Sequence, residues 1–185
     1  MTKWSPVNPY LDTPPARHGA AREPRFAQAT TALLTDRPHT VGDGNVRAKY
    51  CAVSQANVEV VQAAYDSFRE TGQFAEQFVT PDFVWDMSKF RDWPEQQVYE
   101  GADGARRFLA DWRDAWEDWE IEVDSYHDAG EKVVALLRQR GRSKASGLPV
   151  DMRFAQVWTV QGGKQTRMEM YADPDEAMEA VGLQQ

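Results

Sequence analysis

The sequence predicts an α+β domain with its helices first and its strands last. The strands form a curved antiparallel sheet wrapped around the N-terminal helices as a cone. Three observations lead there. Apolar residues recur at helical spacing between Ser54 and Gly72 and again between Gly101 and Glu117. Four later segments alternate apolar and polar residues as strands do. Short turns join those segments, so neighbouring strands pair as hairpins. At 185 residues, 42% of them hydrophobic, the chain suffices for one such domain and not comfortably for two.

Residues 1–50 carry six of the ten prolines and 7 Lys/Arg against 4 Asp/Glu, whereas residues 51–185 carry 14 against 25. Pro14-Pro15, Pro24, Pro38 and Gly42-Asp43-Gly44 interrupt any regular element. The first fifty residues therefore read as a tail, and 51–185 as the domain. Ser54 suits an N-cap, Val58, Val61, Ala64, Tyr65 and Phe68 form an apolar face, and Gly72 ends the run. A short helix over 73–79 stops at Thr80-Pro81, and Phe83 to Met87 is a strand. A helix over 102–117 carries Ala105, Phe108, Leu109, Trp112 and Trp116 on one side. Strands follow over 119–127, 131–142, 149–161 and 164–171, then a last helix over 174–181 opened by Asp173-Pro174.

Composition excludes several functions. No apolar run approaches the roughly 20 residues of a membrane span, and the N-terminus lacks the apolar core of a secretory signal. A net charge of −8 argues against general binding to a nucleic-acid backbone. Cys51 is the single cysteine, so no intrachain disulfide forms, which fits a reducing cytoplasm. The three histidines are His18, His39 and His127, two of them in the tail, so neither a metal-ligand set nor a cofactor is expected. No G-x-S-x-G elbow or dinucleotide loop is present. Carboxylates, Tyr, Arg and amides remain for any chemistry.

Among these, Asp86 lies between Trp85 and Met87 on the first strand, where desolvation raises a carboxylate towards a working pKa. Strand alternation sends Trp85 and Asp86 to opposite faces, and the sequence leaves open which of them faces the cone. Tyr65 sits on an apolar helix face, where its hydroxyl either finds a buried partner or donates to a developing oxyanion. Phe108, Trp112 and Trp116 make a stripe that is either core or ligand wall. On the third of the late strands Met152, Phe154, Gln156 and Trp158 share a face, and Met168 and Met170 extend it from the next strand. Gln156 is then a polar group on an apolar wall and needs a partner. Arg138, on one face with Val134, Leu136, Arg140 and Arg142, either clamps an anion at the pocket or pairs with the acidic stretch from Asp111 to Asp124.

The run Asn57 to Phe68, then Gly72, then Thr80-Pro81-Asp82-Phe83-Val84-Trp85-Asp86, resembles the opening of SnoaL-like domains of the nuclear transport factor 2-like superfamily. Tyr99-Glu100-Gly101 before a helix and Val157 to Lys164 resemble it too, so the likeness spans about 54–183. The resemblance implies the cone fold, ketosteroid isomerase and polyketide cyclase relatives, and dimers formed sheet to sheet. Against ketosteroid isomerases, Tyr65 is similar to the oxyanion-hole tyrosine and Asp86 to the general base, while Gln156 stands where those enzymes carry a second, acidic donor. Function must rest on the site, because the superfamily also contains members without catalysis.

The expectation is a cone that binds a hydrophobic small molecule, without a cofactor, in a homodimer paired through Arg153, Ala155, Val157 and Thr159. In the catalytic reading Asp86, Tyr65 and Gln156 move a proton next to a carbonyl. Trp112, Trp116, Phe108, Arg138, Met152, Phe154, Trp158, Met168 and Met170 would line the substrate. The alternatives are a non-catalytic binding protein and an interaction module whose cone is filled by its own side chains.

Overall fold

The computed structural model describes residues 43–91, 93 and 97–183. The first helix, α1, spans Asp43–Thr71 and so begins eleven residues before the expected Ser54 start. Nothing between Pro38 and Pro81 is proline, and Arg47, Ala48, Lys49, Ala52, Gln55 and Ala56 favour helix without needing an apolar face. The expected boundary at residue 50 thus falls inside α1, while the rest of the expected tail, 1–42, lies outside the described residues. Ser54 is not an N-cap. Its hydroxyl donates to the Asp128 carboxylate, and the neighbouring Asn57 amide donates to Gly130 O at 2.9 Å. Together they pin α1 to a hairpin turn. Gly72 ends the helix in the left-handed region at φ +68°, with its N–H on Phe68 O at 2.7 Å.

The short helix expected over 73–79 is only a 3-10 turn, Glu76–Phe78. Strand β1 follows immediately as Val79–Asp86, then β2 as Val98–Glu100, α2 as Gly101–Asp114, β3 as Trp116–Ala129, β4 as Lys132–Ser143, β5 as Pro149–Gln161, β6 as Lys164–Tyr171 and α3 as Pro174–Ala180. The sequence pattern missed β2, because three residues are too few for alternation to register.

One six-stranded sheet runs in the order β2-β1-β6-β5-β4-β3. Strands β3 to β6 are the expected antiparallel meander. The sheet is not antiparallel throughout, since β1 joins β6 in parallel. Bulges between Glu117 and Glu120, between Val123 and Ser125, and opposite Thr159/Val160 bend the strands and curve the sheet without closing it. At the first of these Asp118 takes φ 51°, the left-handed conformation that Asp tolerates better than most residues.

Helices α1 and α2 lie in the concave side of this sheet. Val58, Val61, Phe83, Trp85, Phe108, Trp112, Leu137, Phe154, Trp158 and Met168 form the main core there. The core is dominated by rings in contact. Trp85 and Phe108 stand 4.6 Å apart between centroids, and Trp93 and Trp112 5.1 Å. The opposite face has a smaller core, in which Val134, Ala155, Val157 and Tyr171 lie beneath Ala177 and Met178 of α3. Ala155 and Val157 are therefore buried within the chain and not open to a second copy. Towards the other end of that face Arg138, Arg140 and Arg153 pair with Asp151, Glu122 and Asp124.

Candidate functional site

A cavity of about 60 Å³ lies inside the cone, bounded by α1, α2 and the concave face of the sheet. The helices give Ala64, Tyr65 and Phe68 from α1 and Phe108, Leu109 and Trp112 from α2. The sheet gives Trp85, Trp119, Ile121, Phe154, Gln156, Trp158, Gln165 and Met170, and the turn before β1 gives Phe74 and Ala75. Ala64, Phe68, Leu109, Trp119 and Ile121 are only half-buried, so the way in lies between α1, α2 and β3. Since one water takes about 30 Å³ of liquid, the free space is small beside the cone that encloses it. The aromatic side chains fill most of the interior.

The polar part of the wall is a chain of hydrogen bonds. Trp158 Nε1 donates to Tyr65 Oη at 3.1 Å, and the Tyr65 hydroxyl donates to Gln156 Oε1. Gln156, 5% exposed, has for its own Nε2 only a 4.0 Å contact to Met170 Sδ. Burial drives the Tyr65 phenol far above its ordinary value, against a smaller lowering from the Trp158 N–H. Tyr65 therefore keeps its proton, and that proton is committed to Gln156. The expected pair of oxyanion donors has become a donor–acceptor pair, with the amide N–H groups at its end. Each bond in such a chain polarises the next.

Asp86 is not at the cavity. Phe83 and Trp85 take the concave positions of β1, so alternation turns Asp86 outward, level with Glu169 of β6. Its carboxylate accepts from Arg167 and from Ser88 N at 2.8 Å. Burial acts to raise its pKa, but the Ser88 hydrogen bonds and the Arg167 guanidinium outweigh it, and the net shift is downward. The expected base is thus a carboxylate held ionised on the far face, away from the cavity.

The other expected residues divide. Phe108, Trp112, Phe154, Trp158 and Met170 line the cavity. Met168 is buried in the main core beside the cavity lining, and Trp116 and Met152 pack against that core half-buried. Arg138 faces outward, where its Nε and Nη2 grip the Asp151 carboxylate at 2.7 and 2.6 Å. The β4 residues that face inward are Val133, Ala135, Leu137 and Gln139, which alternate with the arginines. Sequence reasoning did not place Ala64, Phe68, Phe74, Ala75, Leu109, Trp119, Ile121 or Gln165 on the wall, and left Trp85 open. Trp119 and Ile121 alternate regularly within the strand expected over 119–127, and that alternation is the signal that could have found them. Gln165 is out of phase with Met168 and Met170, because a bulge opposite Thr159/Val160 breaks the alternation of β6.

A curved mixed sheet holding an aromatic cavity against two helices defines the nuclear transport factor 2-like class. The SnoaL-like domain profile matches residues 46–168, and the chain belongs to that family. Among solved structures it resembles an NTF2-like protein from Burkholderia thailandensis E264, at 25% identity and TM-score 0.56 over 68% of this chain and 96% of that one. It also resembles a protein from Jannaschia sp. CCS1, provisionally assigned as a SnoaL-like polyketide cyclase, at 22% identity and TM-score 0.53 over 72% and 96%. A third likeness is to TerC co-crystallised with polyporic acid, at 22% identity and TM-score 0.53 over 68% and 98%. Comparison with curated proteins finds no match.

Proposed function

We propose that the domain binds a small, apolar, uncharged molecule reversibly in this cavity and performs no acid–base chemistry on it. One observation carries the reading. Of the sixteen wall residues among those described, none is a carboxylate, imidazole, amine, guanidinium or thiol. Tyr65 is the one titratable group among them, and burial holds its proton in place. Proton transfer next to a carbonyl needs a base within hydrogen-bond reach, and Asp86 pairs with Arg167 on the other side of the sheet. The aromatic wall instead offers contact area and excludes charge.

A ring exceeds the free space of about 60 Å³ and enters only as the half-buried entrance residues move apart, so the test uses benzene as the probe, read from the indole N–H signals of Trp85, Trp112 and Trp158 by NMR. Ala64 is half-buried at the entrance, so Ala64→Trp is expected to block entry and keep the fold. Shifts that saturate in the wild type and vanish in Ala64→Trp support the proposal. Absence of shifts, or equal shifts in both proteins, overturns it.

A further inference from the structure

We infer that Gln165 is the residue with which the cavity recognises its ligand, and that this ligand is neutral and bears a hydrogen-bond acceptor, such as a ketone or an ether. The inference rests on the ligand-binding reading above and specifies its chemistry. It starts from an irregularity in β6. Met168 and Met170 point into the cone, whereas Arg167 and Glu169 point out of it. Continued alternation would put Gln165 outside with Arg167. Opposite β5, however, Thr159 pairs with Arg167 and the next residue, Val160, pairs with Gln165. Thr166 is therefore the extra residue of a bulge, and the bulge turns Gln165 inward, onto the cavity wall. Bulges recur where a fold re-aims a single side chain.

What it aims is an unsatisfied donor. Gln165 is 1% exposed, and its Nε2 has no hydrogen-bond partner among the described residues. A side-chain amide in so apolar a place is costly unless something accepts from it. The remaining polar groups of the wall have the same sign. Trp119 Nε1 is buried without a partner among the described residues. Gln156 Nε2 has only its long contact to sulfur, while Gln156 Oε1 already accepts from Tyr65. Trp112 Nε1 is already committed, to Gln139 Oε1 at 2.8 Å. The wall thus offers free N–H groups and no charge. An anion would be buried there without a cation.

Cyclopentanone and methylenecyclopentane test this, because they share a shape and differ in having C=O or C=CH2. Their affinities are measured by NMR titration for the wild type and for Gln165→Met, which keeps the length of the side chain and removes the donor. In the wild type the ketone is expected to bind at least as tightly as the alkene, with the Gln165 amide protons shifting for the ketone only. In Gln165→Met the preference is expected to swing by about tenfold or more towards the alkene, since a buried carbonyl without a partner is disfavoured. A wild type that binds the alkene tenfold more tightly overturns the inference and leaves the binding proposal standing. So does an unchanged preference in Gln165→Met. Failure of both probes to bind the wild type overturns both. The wild-type comparison and the amide signals remain decisive should Gln165→Met not fold.

Discussion

Asp86 shows what a single residue owes to its partners. Its neighbours Trp85 and Met87 suggest a desolvated, raised carboxylate, and burial does act in that direction. Arg167, 81 residues further along, and the Ser88 hydrogen bonds reverse the outcome. The sign of the pH effect follows. A folded pKa below the ordinary 3.8 means that the unfolded chain binds the proton more readily. The stability Asp86 contributes is then fully present above about pH 4 and is lost as pH falls through the lower folded value. Asp86→Asn is expected to cost about 1–2 kcal/mol at neutral pH, reduced from the roughly 1.5–3 kcal/mol of charge-assisted hydrogen bonds because Arg167 is half-exposed. Denaturant titrations at pH 7 and pH 3 check this, with a smaller cost at pH 3. Ligand binding in the variant is expected to match the wild type. A loss of binding without a loss of stability would place Asp86 back in the site.

At the scale of elements, the packing of α2 against β2 depends on one missing side chain. Gly104 lies in the helix, where a Cβ would come within 2.9 Å of the Tyr99 backbone carbonyl carbon and 3.2 Å of its Cβ. Backbone does not yield as a flexible side-chain end does. Gly104→Ala is therefore expected to destabilise by about 1–2 kcal/mol, the overpacking cost exceeding the roughly 1 kcal/mol that alanine contributes to helix propensity. Thermal unfolding measures the net, and a stabilised variant would show that α2 and β2 separate freely. Tyr99 is worth this close approach, since it holds Trp93 Nε1 at 3.1 Å and packs on Phe108, a cavity residue.

For the whole molecule, both cores are built, among the described residues, from Val58 onwards. Deleting residues 1–42 is expected to leave the midpoint of thermal unfolding within a few degrees of the full chain, and a large drop would make that segment part of the core. Assembly is constrained by α3. With Ala155 and Val157 covered, a second copy on this face meets mainly Glu122, Asp124, Arg138, Arg140, Asp151 and Arg153. A sheet-to-sheet dimer is then expected to dissociate as salt shortens the Debye length from about 10 Å at 0.1 M to 3 Å at 1 M. Sedimentation at both salt concentrations checks this, and a dimer indifferent to salt would have to use another surface.

The sequence by itself determined the class of fold, the four-strand meander, the inward face of β5 and most of the aromatic wall. These depend on local period and on turn residues, which each segment carries within itself. The tertiary structure decided the rest, for three physical reasons. Asp86 faces outward because Phe83 and Trp85, the larger apolar neighbours at alternate positions, take the concave side, and a strand has only two sides to offer. Arg138 faces outward because Leu137 and Gln139 fill the inner positions of β4. Gln165 reaches the cavity because the bulge at Thr166 shifts the period by one residue. A bulge reflects the pairing of two strands, and no alternation within one segment announces it.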